Sequence, residues 1–443
     1  SMSVPPEAST TCMKASHWAR SLRNWLPRPF PSWAPGTNPA TSTRVTGIMP
    51  HTYLGIYSLF FEVYREQEIN VCEIGVLGGG QLGRMLQQKA LDFGLDLAFI
   101  DPDGNAPCKE ISSRFFKGDF KDYETVYSFG KSRDILTIEI EHVNVEALQQ
   151  LEKEGVKVFP QPEVIKTIQD KGLQKIFYKE NNIPTSDFYL IEGRDEILSF
   201  ENEFPFMQKM RKGGYDGQGV TPIRSKEDTE KAFEVPSVLE KMVDFEKELS
   251  VIVSRNENGE IKSFPCVECE FNPEANLVEF LFSPATISKE VEDRAQEISR
   301  LVIEKLEMVG ILAVELFLTK NGELLVNEVA PRPHNSGHQT IEGNYESQYG
   351  QLLRCLLNMP LGDTTIKRPS VMVNLLGEKG YTGKAVYDGI QKALAHPGVN
   401  LHLYGKDQTK PYRKMGHATI VNESLIKAKD IAKKVQKDLK IIA

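Results

Sequence analysis

The chain is poor in cysteine: six among 443 residues, scattered, fall short of the density of a disulfide scaffold. No apolar run approaches the roughly 20 residues that a membrane-spanning helix needs. Basic side chains are not in excess either, with 53 Lys plus Arg against 61 Asp plus Glu. A nonspecific nucleic-acid surface uses Lys and Arg to replace counterions, so this balance argues against one. Neither a Walker A pattern nor the protein-kinase motif set is present. What is left is small-molecule chemistry in a reducing cytoplasm, on a chain long enough for about three domains. Cys266 and Cys269 share a C-x-x-C spacing, but the strand-like segment 263–271 points residues three apart to opposite faces. With no second Cys pair nearby, structural thiols are expected there rather than zinc or redox chemistry.

Residues 1–70 differ from the rest: rich in Pro, Ser and Thr, they hold all three tryptophans, Trp18, Trp25 and Trp33, and show no sustained period. Their basic bias leaves three readings open: a disordered leader, an organellar transit peptide, or a wrongly chosen start. From residue 71 strands alternate with helices (74–77, 97–100, 135–140), which predicts a parallel, helix-covered sheet over 71–169. Residues 170–368 mix glycine-rich loops, alternating strands and an amphipathic helix over 293–309, an α+β character. A third segment, 369–443, reads as short strands closed by a Lys-rich helix.

Gly78, Gly80 and Gly83 form G-x-G-x-x-G between a strand and a helix, and Asp101 stands where a ribose-binding acid belongs. The direct reading is an NAD-dependent dehydrogenase. The motif itself requires less, namely a tight turn whose N–H groups approach an anion at a helix N-terminus.

Further along, residues 311–319 and 324–330 predict a β-hairpin turning at Asn321-Gly322. A two-residue turn there puts Glu315 directly opposite Glu328. Two ionised carboxylates so paired repel one another unless a cation or a shared proton lies between them. Hard oxygen donors, few in number and without cysteine, suit Mg²⁺ (or Mn²⁺) shared with nucleotide phosphates. Pro331-Arg332-Pro333-His334-Asn335-Ser336-Gly337-His338 follows at once and brings Arg332, His334 and Asn335 beside the acids. Upstream, Lys209 precedes Gly213-Gly214-Tyr215-Asp216-Gly217-Gln218-Gly219. Four glycines in seven residues allow a flap whose backbone donors close over phosphates.

Taken together, Gly78-Gly79-Gly80-Gln81-Leu82-Gly83-Arg84-Met85, Glu139-Ile140-Glu141, Asp170-Lys171, the Gly214 loop, Glu246-Lys247-Glu248, Asn327-Glu328, the 331–338 segment, Tyr404-Gly405-Lys406 and Arg413-Lys414-Met415-Gly416-His417 resemble the ATP-grasp superfamily. Within it the match is to the N5-carboxyaminoimidazole ribonucleotide synthetase family, from about residue 71 to the end. The resemblance implies a Rossmann-like preATP-grasp domain, an ATP-grasp domain and a small β-rich C-terminal domain, commonly as a homodimer. It implies ATP against Lys171, Lys209, Gly214, Tyr215, Asp216, Gly217, Gln218, Gly219, Val220, Glu240, Lys241, Met242, Val243, Glu248, Phe271, Asn327 and Glu328. It implies Mg²⁺ on Glu315 and Glu328. The substrate 5-aminoimidazole ribonucleotide is implied at Gln81, Leu82, Glu141, Asp216, Asn335, Lys406, Arg413 and Lys414, and bicarbonate among Tyr215, Arg332, His334 and Lys406.

Two positions depart from the family pattern. Gln218 replaces a common Arg or Lys, and Phe271 replaces a His found in some members. The reaction expected is phosphorylation of bicarbonate by ATP and carboxylation of the ribonucleotide amine in purine synthesis, with His334 as proton acceptor or as a positioning donor. Four other readings are weighed: a formate-dependent glycinamide ribonucleotide transformylase, disfavoured by Asn335 where Asp is expected; a biotin carboxylase; the dehydrogenase; and a catalytically dead nucleotide-binding regulator.

Overall fold

The computed structural model describes residues 72–214, 219–272 and 277–443. The leader expected over 1–70 lies outside the described residues, as do Tyr215, Asp216, Gly217 and Gln218.

Five short strands, β1 (Ile74–Leu77), β2 (Ala98–Asp101), β3 (Phe115–Lys117), β4 (Ile135–Ile138) and β5 (Lys157–Val158), form a parallel sheet in the order β3-β2-β1-β4-β5. Strands β1 and β4 are buried throughout. Their side chains divide between two cores, with Ile74 and Val76 in one and Leu77, Leu136 and Ile138 in the other. Such double burial is why these strands read as continuous apolar runs. The second strand begins at Ala98 rather than 97. The fourth stops at Ile138 rather than 140, because Glu139 turns toward the glycine loop.

That loop departs most from the nucleotide fingerprint. Gly78 adopts φ +100° at the strand end, and helix Gln81–Asp92 follows. The N–H of Gly80 donates to Glu139 Oε1 at 2.7 Å and that of Gly83 to Glu139 Oε2 at 3.1 Å. The anion at this helix N-terminus is therefore the chain's own carboxylate, favoured by the same unpaired donors and dipole that would draw a phosphate. A Cβ on Gly80 would lie 2.8 Å from Glu139 Oε1, and one on Gly78 2.6 Å from its Cγ. The glycines thus make room for Glu139. Asp101 is likewise engaged internally, accepting from the N–H groups of Gly79 and Asp103 at 2.8 Å each. With both acids occupied, the dehydrogenase reading fails on geometry. Burial pushes the Glu139 carboxyl up to about 7, against the pull of the two N–H donors and of Arg332.

Beyond this module, β6 (Phe188–Ile191), β7 (Phe206–Met210), β8 (Val220–Ile223) and β9 (Ser237–Lys241) form an antiparallel sheet in the order β6-β9-β7-β8. A larger antiparallel sheet contains β10 (Phe245–Arg255), β11 (Ile261–Ser263), β12 (Val267–Asn272), β13 (Leu277–Ser283), β14 (Gly310–Thr319), β15 (Leu324–Ala330) and β16 (Ser370–Leu376). It runs β15-β14-β10-β12-β13-β16 and continues into Lys414–Val421 and Val399–Leu403, with β11 paired to β10. Strand β16 pairs with β13 from Phe280↔Val373 to Ser283↔Ser370, so the C-terminal segment extends this sheet directly. Cys266 and Cys269 are free thiols in separate core clusters, as their spacing on a strand dictates.

The amphipathic helix spans Lys289–Lys305, four residues earlier than its apolar period suggests. Ser288 caps it by accepting from the Val291 N–H, and Glu307, at φ +49°, ends it, leaving Val309 to the core beyond.

A methyl group at Gly78 must displace Glu139 and adopt a left-handed conformation. Gly78→Ala is expected to lower stability by about 1–3 kcal/mol, read from the urea unfolding midpoint; an unchanged midpoint contradicts the packing described.

Candidate active site

The hairpin β14–β15 carries the two acids, in a register that differs from the expected one. Its loop has three residues, 320–322, with Gly322 at φ +82° and the Thr319 N–H donating to the Glu323 carbonyl at 2.9 Å. Pairing then runs Leu318↔Leu324, Phe317↔Leu325 and Leu316↔Val326, and shifts by one residue before Val314↔Val329. Glu315 sits at this β-bulge and has no single partner opposite. The irregularity interrupts the alternation of β15, leaving Asn327 and Glu328 both half-buried between buried Val326 and Val329. Both face one cleft as a result. Lys209 Nζ donates to Asn327 Oδ1 at 2.8 Å, and Lys171 Nζ to Glu328 Oε2 at 2.5 Å.

Charge within the cleft is unevenly shared. Lys171, then Lys209, hold Glu328 well below the usual carboxylate range, whereas burial and the charge of Glu328 push Glu315 up. Burial also raises Glu248, on β10, to about 7. Glu240 is 4% exposed and would be raised by burial, but Lys209 and Lys175 outweigh that and keep it ionised. Lys171 begins helix Lys171–Glu180, whose preceding Asp170 accepts from the Gly172 N–H at 2.9 Å and from Arg211 Nε and Nη2 at 2.8 and 2.9 Å.

Next to the acids, Arg332 Nη2 meets Glu141 Oε1 at 2.6 Å. Burial works against the Glu141 charge, but Arg332 outweighs it and the carboxyl stays low. His334 Nε2 lies 3.6 Å from Glu315 Oε1, and its Nδ1 accepts from the Ser336 N–H at 3.3 Å. An acceptor role at Nδ1, with Ser336 Oγ also within 2.9 Å to donate to it, favours the tautomer with its proton on Nε2. Burial, then Arg332 and Lys414, lower His334 to about 3. A neutral ring with its acceptor nitrogen already engaged suits a positioning donor better than a proton acceptor. Asn335 exchanges two 2.9 Å amide hydrogen bonds with Asn374 of β16.

The other sequence-selected residues divide. Gln81 opens its helix half-buried, whereas Leu82 packs into the core and offers only backbone. Lys241 turns its amine to Glu203 at 2.9 Å and over the Phe206 ring, away from Lys209 and Glu240. Met242 and Val243 form the turn between β9 and β10, Met242 being exposed. Gly214, Gly219 and Val220 flank the undescribed loop residues, and Val220 pairs with Lys209. Phe271 is half-buried on β12. In the C-terminal segment Lys406 Nζ donates to the Lys414 carbonyl at 2.8 Å, while Arg413 turns to the Gln408 carbonyl at 2.7 Å. Lys414 is near enough to lower His334.

Several participants escaped the sequence reading. Lys175 is one, buried on Glu240 at 3.1 Å. Its spacing of four from Lys171 puts it on the same helix face, a signal that was available. Arg211 and Asn374 carry no local signature. Nor does a stack of three imidazoles, buried His338 on buried His417 at 4.6 Å and His417 on half-buried His402 at 4.5 Å between ring centroids. It joins the 331–338 segment to the strands that bear Lys414.

Two carboxylates in one cleft and few other donors fit a divalent cation completed by ligand oxygens. Among the described residues there is no group of three or more His, Cys, Asp or Glu to form an all-protein cage.

Because Glu315 is raised above its unfolded value, the folded ligand-free protein holds a proton that the unfolded chain releases. Stability from this group is present at low pH and is lost as pH rises through the raised value. Glu315→Gln is therefore expected to flatten the fall of Tm between the ordinary carboxylate range and the raised value of about 8, by at most about 1.4 kcal/mol per pH unit. Parallel wild-type and variant curves in thermal denaturation across pH 5 to 9 contradict it.

Three family models match in order: the ribonucleotide synthetase preATP-grasp domain over 71–169, the ATP-grasp domain over 176–349, and the phosphoribosylaminoimidazole carboxylase C-terminal domain over 370–430. The chloroplastic phosphoribosylaminoimidazole carboxylase of Vigna aconitifolia is 39% identical over 361 residues, covering 80% of this chain; the chain spans 64% of that relative's length. The crystal structure of N5-carboxyaminoimidazole ribonucleotide synthetase from Thermotoga maritima is 42% identical with a TM-score of 0.77, covering 84% of this chain and 99% of that one. That of the Aspergillus clavatus synthase with ADP and 5-aminoimidazole ribonucleotide is 32% identical with a TM-score of 0.76, covering 83% and 98%. With a solved relative matched over almost its whole length at this identity, the chain belongs to the N5-carboxyaminoimidazole ribonucleotide synthetase family of ATP-grasp enzymes.

Proposed function

We propose that this protein uses ATP and bicarbonate to carboxylate 5-aminoimidazole ribonucleotide to its N5-carboxyamino derivative in purine synthesis. The observation that carries the reading is one cleft in which Lys171 and Lys209 meet Glu328 and Asn327, with Glu315 and the Arg332–Glu141 pair alongside. The ligands in the Aspergillus clavatus complex support the nucleotide and the acceptor.

ATP would lie against Lys171, Lys209, the 214–220 loop, Glu240, Met242, Val243 and Glu248. Mg²⁺ would be held by Glu315 and Glu328, and when bound supplies charge for phosphoryl transfer from ATP. Glu328 would then no longer depend on Lys171, whose amine would be available to phosphate oxygens beside that of Lys209. Arg332, oriented by Glu141, presents its guanidinium to bicarbonate and to the carboxyphosphate derived from it. His334, holding its proton on Nε2, donates to an oxygen of the same group. Gln81, Glu141, Asp216, Asn335, Lys406, Arg413 and Lys414 would hold the ribonucleotide, the cations taking its 5′-phosphate. Tyr215 and the rest of the glycine flap would exclude water from the labile anhydride. Five free thiols among the described residues support a reducing compartment, for which we propose the cytoplasm, and no helix among those residues is long and apolar enough to cross a membrane. We propose a homodimer on family resemblance.

ADP release is expected with 5-aminoimidazole ribonucleotide plus bicarbonate and not with glycinamide ribonucleotide plus formate; the opposite preference overturns the assignment in favour of the transformylase. Glu328→Gln is expected to reduce ATP turnover at least about 100-fold with the far-UV spectrum preserved, and near-normal turnover would refute its place on the metal.

A further inference from the structure

Lys175 touches none of the groups proposed to react, yet it is among the most deeply buried cations of the molecule, with its side chain 2% exposed. Its amine reaches Glu240 Oε1 at 3.1 Å, Thr185 Oγ1 at 2.5 Å and Ser186 Oγ at 3.3 Å. The other oxygen of Glu240 meets Lys209 at 3.0 Å. One buried carboxylate is thus shared by two lysines, one facing the cleft and one behind it. Lys209 in turn bonds Asn327, the neighbour of Glu328.

A buried anion without a cation is strongly unfavourable, and removing one member of a buried pair exposes that cost. If Lys209 alone balanced Glu240, it could not leave for a phosphate without stranding the carboxylate. We infer that Lys175 is a positioning residue for ATP: it keeps Glu240 neutralised from behind, which frees Lys209 to follow the triphosphate. This rests on the reading that Lys209 meets ATP. Burial lowers Lys175 to about 8, opposed by Glu240, in keeping with a cation sustained by that one carboxylate.

A structural alternative exists on the same contacts. Thr185 donates onward to the Val326 carbonyl at 2.7 Å, so Lys175 also braces β15. The two roles separate in a double-mutant cycle on the full chain, read as ATP and ADP affinity by nucleotide fluorescence titration and as KM for each substrate. Lys175→Met is expected to weaken ATP at least about tenfold, with KM for the ribonucleotide little changed. In the Glu240→Gln background, where no anion needs balancing, adding Lys175→Met is expected to change ATP affinity by less than about threefold. Equal losses in the two backgrounds, or equal losses for both substrates, overturn the proposal in favour of bracing. If Lys175→Met alone does not fold, the double variant against Glu240→Gln decides, and a loss there beyond about tenfold overturns it. Lys209→Met, measured alongside, separates the failures. No loss of ATP affinity in that variant overturns the site reading and the proposal with it; loss there with none in Lys175→Met overturns the proposal alone.

Discussion

Glu315 and Glu328 share one cleft in which both could be ionised only against mutual repulsion, and much of the surrounding structure answers to that constraint. Lys171 stabilises the charge of Glu328, while Glu315 is left to be raised by burial and by its neighbour. The helix start at Asp170, the Arg211 clamp on it, and the bulge in β15 all serve to bring lysines and acids to one place. Without the bulge, strict alternation would send Asn327 and Glu328 to opposite faces of the strand. One irregular residue pair therefore lets two consecutive side chains serve the same cleft.

The glycine loop shows the same chemistry resolved differently. A helix N-terminus that resembles a phosphate site is already satisfied by Glu139. Two residues on, Glu141 is spent on Arg332. The segment 139–141 thus uses one acid to shape the first module and another to orient a cation across the module boundary.

Much of this was legible in the sequence because it lies in short-range signals. The apolar runs of β1 and β4, the Gly322 turn and the acids within apolar strands are local patterns. What failed were features set by tertiary partners. Whether Asp101 binds a ribose or a backbone amide is decided by where Gly79 sits. The hairpin register departs from the expected one twice, by a turn one residue longer and by a bulge that offsets it, so the acids still come to one cleft although the path differs. Arg211 and the imidazole stack depend on elements far away in sequence, where local pattern carries no trace of contact, whereas Lys175 shows only its helix face and not its carboxylate partner.

The pairing of β13 with β16 bears on how such a molecule can move. Rotation of the C-terminal part as a separate body would break a ladder of interstrand hydrogen bonds from Phe280↔Val373 to Ser283↔Ser370. Among the described residues the four-stranded β6-β9-β7-β8 sheet has no such ladder to the large sheet, only a single bridge between Thr185 and Val326, and it reaches β10 through the Met242–Val243 turn. Opening and closing of the cleft would thus fall to that smaller lobe, turning at Met242–Val243 and at the chain that enters β6 beyond Thr185, while Glu315, Glu328 and the C-terminal cations stay on one platform.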